Sequence, residues 1–545
     1  MPIRDGVLPG IEDQRAPHFN ATILDQDKLP SSFPITQWNE QSERYLDYWQ
    51  WFTGESLNEV TATTRSGEEV YKFPLHINSV RNFARKHASL LIGTGEDSPY
   101  PPIQTLVTPK KPLSGDEPSD ADKTMAGILE SIVNIVWTES YGRALQMEAA
   151  TLSQFLGGYV FKVDFVPGQT NELTVPIQIR GYTPDFFLPV WGSDNPWWLH
   201  EAFLIYRIPG SVAAHQYGIE AENTYVIYCE HWTRSTYSIL IDGKPLKREL
   251  QSGRTIELKD RPNPFGFVPF VYIPHAREGG FYGSSLVEDI KGLVREYNAR
   301  LADQGDAIDD AVHRERYMRD VDKIRQKQLA TGKWVSDLGK TNPATKAKPE
   351  VYVEDPPQLS PSLTDFAREA LWNQLLREAQ LGPIAFGEDE GSQRSALTLA
   401  FRMWPSTSHA HVERTFWTDG LNTIATMILM MVQAKNLLDR EGITVPKDFR
   451  RGFMMSQKWQ SMIPRDREQD INENVLLKQS GLRSRKRAVS DLGGIRSVED
   501  ELNEIEDDLK FEASLGALGS PDPQADGAQT EITSPIASSG LSEKE

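Results

Sequence analysis

Tyr282-Gly-Ser-Ser-Leu-Val-Glu-Asp-Ile-Lys291 divides the chain. Upstream of it the apolar residues alternate; downstream they recur at helical spacing. Ser284 or Ser285 is placed to cap a helix, and Glu288 supplies the early acid of a capping box. Leu286, Ile290, Leu293, Val294, Tyr297 and Leu301 then form one apolar face. The pattern carries to about Asp310, a rod of roughly 40 Å at the α-helical rise, long for a globular domain. A second rod is predicted from Leu363 to Leu381. Leu363, Phe366, Ala367, Ala370, Leu371, Gln374 and Leu375 mark its face, and Gly382-Pro383 its stop. The polar stretch from Asp320 to Pro361 lies between them, with short strand candidates at Lys333-Trp-Val-Ser and Glu350-Val-Tyr-Val. Rods that flank a small insert can stand side by side, and copies of such a pair about an axis leave a hole.

Working towards the N-terminus, Tyr159 to Tyr272 reads as mostly β. Strands are predicted at Tyr159-Val-Phe-Lys-Val-Asp-Phe-Val, Thr174-Val-Pro-Ile-Gln-Ile, Phe203-Leu-Ile-Tyr, Thr224-Tyr-Val-Ile-Tyr, Tyr237-Ser-Ile-Leu-Ile and Phe267-Val-Pro-Phe-Val-Tyr-Ile. Asp242-Gly243 is a tight-turn pair. Earlier still, helices are predicted from Thr36 to a stop at Gly54, over Ile77 to Leu91 with a stop at Gly93, from Asp122, and from Tyr141 to Leu156, broken by Gly157-Gly158. Trp38, Tyr45, Tyr48, Trp49 and Phe52 form an aromatic stripe, read as core in preference to a surface for stacking bases. Asp97 to Asp120 reads as a Pro-rich loop. Towards the C-terminus, a Gly-rich acidic loop precedes a long helix, Ser395 to about Arg440, with a bend expected at Pro405. A strand is predicted between Gly452 and Pro464, then two or three helices to Phe511. The Ser-, Pro- and acid-rich end from Ser514 reads as disordered.

The chain has 545 residues, enough for two to four modules, of which 39% are hydrophobic. With a mean hydropathy of −0.47 it is expected to be soluble. The longest apolar stretch, Ile424 to Val432, is about half of the roughly 20 residues a membrane span needs. The N-terminus has no basic region followed by an apolar core, so no secretion signal is expected. The single cysteine, Cys229, cannot form an intrachain disulfide and fits a reducing cytoplasm. Net charge is −19, the opposite of the basic footprint that grips nucleic acid. Either the protein does not meet DNA, or DNA passes it without being held.

Chemistry-bearing patterns are few. Gly332 and Gly339-Lys-Thr341 enclose six residues where a phosphate loop needs four, so no nucleotide site is expected. His409 and His411 are two apart, about 200° around a helix, and cannot share a metal. Asp303, Asp306, Asp309 and Asp310 lie near one face of the first rod. A solvated acidic face is the default reading, and a divalent metal in a nuclease-type site the alternative. Basic residues cluster at Arg314, Arg316, Arg319, Lys323, Arg325 and Lys327, and at Arg483, Arg485, Lys486 and Arg487. Pairing with acids of a neighbouring copy is favoured for them over phosphate contact. No catalytic group, cofactor or metal is expected.

The order of these pieces resembles that of tailed-bacteriophage portal proteins, the head-to-tail connectors. Tyr282-Gly-Ser-Ser-Leu-Val-Glu-Asp-Ile-Lys resembles the start of their first stem helix. Leu156-Gly-Gly-Tyr-Val-Phe-Lys-Val163 is similar to their helix-to-strand junction, and Phe73-Pro-Leu-His-Ile-Asn-Ser-Val with Leu-Leu-Ile-Gly93 to an early core helix. The acidic loop followed by Ser395-Ala-Leu-Thr-Leu resembles a tunnel loop and kinked helix, and Trp459 to Asp466 a late wing strand. The likeness spans about residues 40–512; the arm and tail outside it have no counterpart.

The resemblance implies an α+β portal fold that forms a ring, a dodecamer in this family. It would have an N-terminal arm (1–35), a wing (36–283), stem helices (284–310 and 363–381) and a small α/β clip (311–362). A tunnel loop (382–394), the second part of the wing (395–465), a helical crown (466–513) and an acidic tail (514–545) would complete it. Phe386, Gly387, Glu388, Asp389, Glu390, Gly391, Ser392 and Gln393 would form the tunnel loop. The implied partners are further copies of the chain, the large terminase subunit, head-to-tail adaptor proteins, the major capsid or scaffolding protein, and double-stranded DNA in the channel. No membrane is implied. The implied location is the portal vertex of the virion, after assembly in the host cytoplasm. The implied role is non-enzymatic: DNA is packaged and later ejected through the ring. Another head-completion or minor capsid protein is the alternative, and a metal-dependent nuclease built on Asp303, Asp306 and Asp310 a more distant one.

Overall fold

The computed structural model describes residues 28–57, 62–63, 69–70, 76–93, 101–111, 118–166, 173–192, 195, 198–218, 225–249, 255–277, 279–312, 316–319, 325–328, 334–337, 350–353, 366–387, 396–438, 442–462, 467–485, 502 and 504–511. They belong to two compact units, Met1–Pro464 and Arg465–Glu545.

In the first unit, helix α1 (Ile35–Thr53) buries Trp38, Tyr45, Tyr48 and Trp51 and stops at Gly54, whose φ of 91° suits a residue without a side chain. The aromatic stripe is therefore core, and Trp51 joins it although the sequence reading omitted it. Helix α2 (Ser79–Ile92) starts where the Asn78 side chain accepts the Arg81 N–H at 3.0 Å. Helix α3 (Asp120–Glu139) opens on a capping box between Ser119 and Asp122. Helix α4 (Gly142–Leu156) ends at Gly157, φ 75°.

The Pro-rich stretch read as loop contains a strand, Gln104–Pro109, paired antiparallel with Phe453–Lys458. Three of its six residues, Thr105, Val107 and Thr108, are β-branched, but prolines surround it and its partner lies some 340 residues away, so the stretch reads locally as loop. Gly158–Phe165 is the centre of a three-stranded antiparallel sheet between Phe270–Pro274 and Ile177–Tyr182. Tyr159, Phe161 and Val163 enter the main core from one face, and Val160 enters a second cluster from the other. A larger antiparallel sheet runs in the order Lys244–Pro245, Thr236–Ile241, Tyr225–Thr233, Leu199–Pro209, Phe187–Trp191, with Arg261–Pro262 added beside Thr236–Ile241. Phe187–Trp191 was not predicted, and the strand expected from Thr174 begins only after Pro176, which has no N–H to donate. Asp242 and Gly243, at φ 46° and 76°, close the turn expected of them between Ile241 and Lys244. Helix α5 (Gly210–Tyr217) packs Ala213 beside Ile208 and Val226 of this sheet.

The first rod is helix α6 (Leu286–Val312), 27 residues. The insert after it holds two antiparallel pairs, Arg316–Arg319 with Glu350–Val353 and Arg325–Gln328 with Trp334–Asp337, where two strands were expected. The unforeseen two carry the basic residues, whose charge run masked the strands. A π-helical stretch, Phe366–Leu371, leads into helix α7 (Trp372–Glu378). Helix α8 (Ala396–Lys435) spans 40 residues and continues through Pro405. Its Trp417, Leu421, Ile424 and Ile428 lie in the main core with Val133, Phe161 and Ile273. At Gly420 a Cβ would come within 2.5 Å of Ile273, so glycine allows the helix to lie on the Phe270–Pro274 strand.

The second unit contains helix α9 (Arg467–Gln479) and a helical stretch at 504–511. The tail from Ser514, read as disordered, lies outside the described residues.

Candidate functional site

The first rod is seated by two glycines from the motifs that read as junctions. A Cβ on Gly283 would lie 2.2 Å from the Gly157 carbonyl oxygen, and one on Gly157 would lie 2.5 Å from that of Gly283. The Tyr272 hydroxyl donates to the Gly157 carbonyl and accepts the Gly283 N–H, both at 3.0 Å. Ser285 caps α6: its Oγ accepts the Val287 N–H at 3.0 Å and donates to the Phe155 carbonyl. Glu288 does not complete the expected capping box. Its carboxylate accepts from Tyr48 and pairs with Arg44 at 3.1 Å, so it ties α6 to α1. Burial, then the Glu288 hydrogen bond, holds the Tyr48 phenol above its usual pKa. Lys291 pairs with Asp47 at 3.0 Å. Asn298, buried, exchanges two hydrogen bonds with the backbone of Ile77, at 2.7 and 3.1 Å, as a strand neighbour does.

The second rod lies beside the first. Leu375 and Leu376 of α7 share a core with Leu286, Ile290 and Val294 of α6, and the Trp372 and Tyr297 rings are 5.7 Å apart. Further along, Ala302 is buried but Ile308 is 55% exposed, as is Phe366 at 50%. Both rods thus leave apolar side chains in water beyond the seat.

Of the residues predicted for the tunnel loop, Phe386 is half-buried against Phe83 and Trp372, at 5.6 and 6.0 Å, and anchors the segment to the body. Gly387 follows at φ 78°. Glu388, Asp389, Glu390, Gly391, Ser392 and Gln393 lie outside the described residues. Arg316, Arg319, Arg325 and Lys327 occupy strand positions in the insert; Arg314 and Lys323 lie outside the described residues. Arg483 donates to Asn474 within its own unit, Arg485 is half-buried, and Lys486 and Arg487 are outside. On α6, Arg300 pairs with Glu296 at 2.7 Å and with Asp303 at 3.6 Å, the ionic ladder of a solvated face. Asp303 and Asp306 do not form a metal-type cluster among the described residues.

Sequence reasoning missed a buried polar knot between the two largest cores. His275 follows the Phe270–Pro274 strand, while His409 and Glu413 sit one turn apart on α8. One ligand-type atom from each lies within 4.8 Å of the others. His275 Nδ1 is 3.3 Å from Glu413 Oε1 without hydrogen-bond geometry. Gln154 of α4 donates to Glu413 Oε1 at 2.6 Å, and His409 Nδ1 contacts Gln380 Oε1 at 2.9 Å. His87 of α2 donates from Nε2 to the Ala379 carbonyl at 2.7 Å, its ring 4.9 Å from that of His409. Burial, with His275 beside it, lowers the His409 pKa to about 4; burial with His409 and His275 lowers that of His87 well below the usual range. Both rings are neutral at physiological pH. The i,i+4 spacing of His409 and Glu413 was the available signal, overlaid by the closer pair His409 and His411. Those two indeed diverge, since His411 is exposed.

A helix-and-sheet body that carries two adjacent rods with a β insert between them, and apolar side chains in water along both, is the plan of an assembly subunit. The chain belongs to the phage portal proteins: the profile of the family "Phage portal protein, SPP1 Gp6-like" matches residues 213–514, more than half of its length. No individually curated protein matches the sequence. The family places the chain among structural proteins of phage heads, as a head-to-tail connector. Among the described residues, no helix is long and apolar enough to cross a membrane.

Proposed function

We propose that the chain forms a closed ring, a dodecamer, at one capsid vertex, through which double-stranded DNA is packaged and later ejected. The ring docks the large terminase subunit during packaging and the adaptor proteins of the tail afterwards. It performs no chemistry of its own; the ATP-driven work belongs to the terminase. The seated rod pair, α6 with α7, carries this reading. It supplies a stem whose exposed Ile308 and Phe366 would be covered by neighbouring copies. The insert between the rods becomes the clip that meets motor and tail, and the second unit the crown. The net charge of −19, multiplied around a ring, repels phosphate and suits a bore that DNA crosses without sticking. Glu388, Asp389 and Glu390 of the tunnel loop would face it. Negative-stain electron microscopy of the purified protein tests the proposal: end-on views should show hollow rings of one subunit number. Monomers or solid particles at all concentrations would refute it.

A further inference from the structure

We propose that His275, His409 and Glu413 form a binding site for one divalent transition-metal ion of zinc type, which stitches helix α8 to the end of the Phe270–Pro274 strand. The donor set, two imidazoles and a carboxylate, is one that zinc accepts. Three features favour an ion over a self-sufficient hydrogen-bond network.

The first is that the knot is polar, buried and unsatisfied. Among the described residues no hydrogen-bond partner reaches His275 Nδ1, His409 Nε2 or Glu413 Oε2, although His275 and Glu413 are 6% and 1% exposed. A buried polar atom without a partner is costly, and three of them on residues whose ligand-type atoms lie within 4.8 Å of one another need a common explanation. A cation supplies it, because each of these atoms can offer a lone pair.

The second is that the outer contacts orient the donors inward. Gln380 Oε1 can only accept, so His409 must donate to it from Nδ1, and its Nε2 is left as a lone-pair donor. Gln154 engages one oxygen of Glu413 and leaves Oε2 free. Hydrogen-bonded outer partners of this kind fix the tautomer and orientation of metal ligands. The third is spacing. His409 and Glu413, one turn apart on a helix, present their side chains to the same side. Bonds of about 2.0–2.2 Å to tetrahedral zinc set ligands roughly 3.3–3.5 Å apart. His275 Nδ1 lies 3.3 Å from Glu413 Oε1, so the carboxylate is already at ligand spacing, and small side-chain rotations bring its Oε2 and His409 into place.

The test uses the full-length protein, stripped with a chelator and titrated with Co²⁺, then Zn²⁺. The wild type should take up about one Co²⁺ per subunit with the visible bands of four-coordinate cobalt, and Zn²⁺ should displace it. Zn²⁺ should also raise the melting temperature, because only the folded chain assembles the site; Mg²⁺ should not. His409→Ala should abolish the bands. Gln380→Ala, which keeps all three ligands, should weaken Zn²⁺ binding roughly 10–100-fold. His411→Ala, on the exposed side of the same helix, should change neither. Should Glu413→Gln or His275→Ala fail to fold, the wild-type and Gln380→Ala titrations still decide. Wild-type protein with no cobalt bands and no Zn²⁺ shift overturns the site, as does binding that survives His409→Ala.

Discussion

Gly283 and Asp185 show what single positions hold in place. Any side chain at Gly283 meets the Gly157 carbonyl, His275 N and the Ala276 carbonyl within 3.0 Å, all of them backbone. Gly283→Ala should therefore force the start of α6 off its seat. The expected cost is about 1–3 kcal/mol or more, the range for overpacking, measured by chemical denaturation. Asp185 is 4% exposed, and Trp49 Nε1 donates to it at 3.3 Å. Burial raises its pKa to about 6, against the lowering effect of its hydrogen bonds. The folded chain thus holds this proton more tightly than the unfolded one, where an aspartate titrates near about 3.9. Its contribution is fully present below about pH 4 and is lost as pH rises through about 6. Between those values wild type should lose on the order of 2–3 kcal/mol relative to Asp185→Asn, read from paired denaturation curves at pH 4, 5, 6 and 7. Equal slopes for the two proteins would refute the assignment. Nothing around Asp185 in the sequence foretells this, because its burial comes from α1, far away along the chain. The glycines were visible as breaks, but that the two breaks touch was not.

At the scale of elements, the sheets are bound to each other by a buried charge network. Lys162, on the central strand of the small sheet, pairs with Glu230 of the large sheet at 2.8 Å and with Asp164 at 3.5 Å. Tyr228 and Trp232 donate to Glu230, each at 2.7 Å. Burial opposes the Lys162 charge, but Asp164 and Glu230 outweigh it and hold its pKa above the usual lysine range. Burial likewise opposes the Glu230 carboxylate, and Lys162 outweighs it and holds the pKa down. Lys162→Met leaves Glu230 charged and buried, and should cost about 3–5 kcal/mol. Lys162→Met with Glu230→Leu should cost less than that single change, because no lone charge remains. A double mutant as unstable as the sum of the two singles would mean that the charges do not act as a pair. Helices and the alternating strands were legible because their periods are local. The Gln104–Pro109 strand was not, since prolines surround it and its partner is distant, nor were the basic strands of the insert, whose charge run hides their pairing. The rods were legible as two apolar faces, whereas the clamp of Glu288 on Arg44 and Tyr48 joins residues some 240 apart.

For the whole molecule, helix α8 has two apolar sides, and only one is used. Ala410, Trp417, Leu421 and Ile424 are buried, while Phe401, Trp404 and Val412 are 69%, 66% and 59% exposed. The exposed three fall within about 80° of arc on an ideal helix, a stripe that a solitary subunit leaves in water. The proposed ring would supply the missing partner, and each side chain of this size that it covered would contribute about 1.5–3 kcal/mol. Ring closure would multiply that gain, because each subunit would present one such stripe and cover another. Phe401→Glu with Trp404→Glu should therefore abolish rings while the subunit keeps its fold. Exposed substitutions away from packed features normally change stability by no more than about 0.5 kcal/mol. Sedimentation velocity should show the variant as monomer at concentrations where wild type is a single large species, with matching far-ultraviolet circular dichroism and melting of the monomers. Rings that persist in the variant would move the contact elsewhere, to Ile308 and Phe366 on the rods or to Ile471, Val475 and Leu482 in the second unit, which are also exposed. Loss of both rings and fold would mean that the stripe serves the subunit itself, and the case for assembly would then rest on the rods alone.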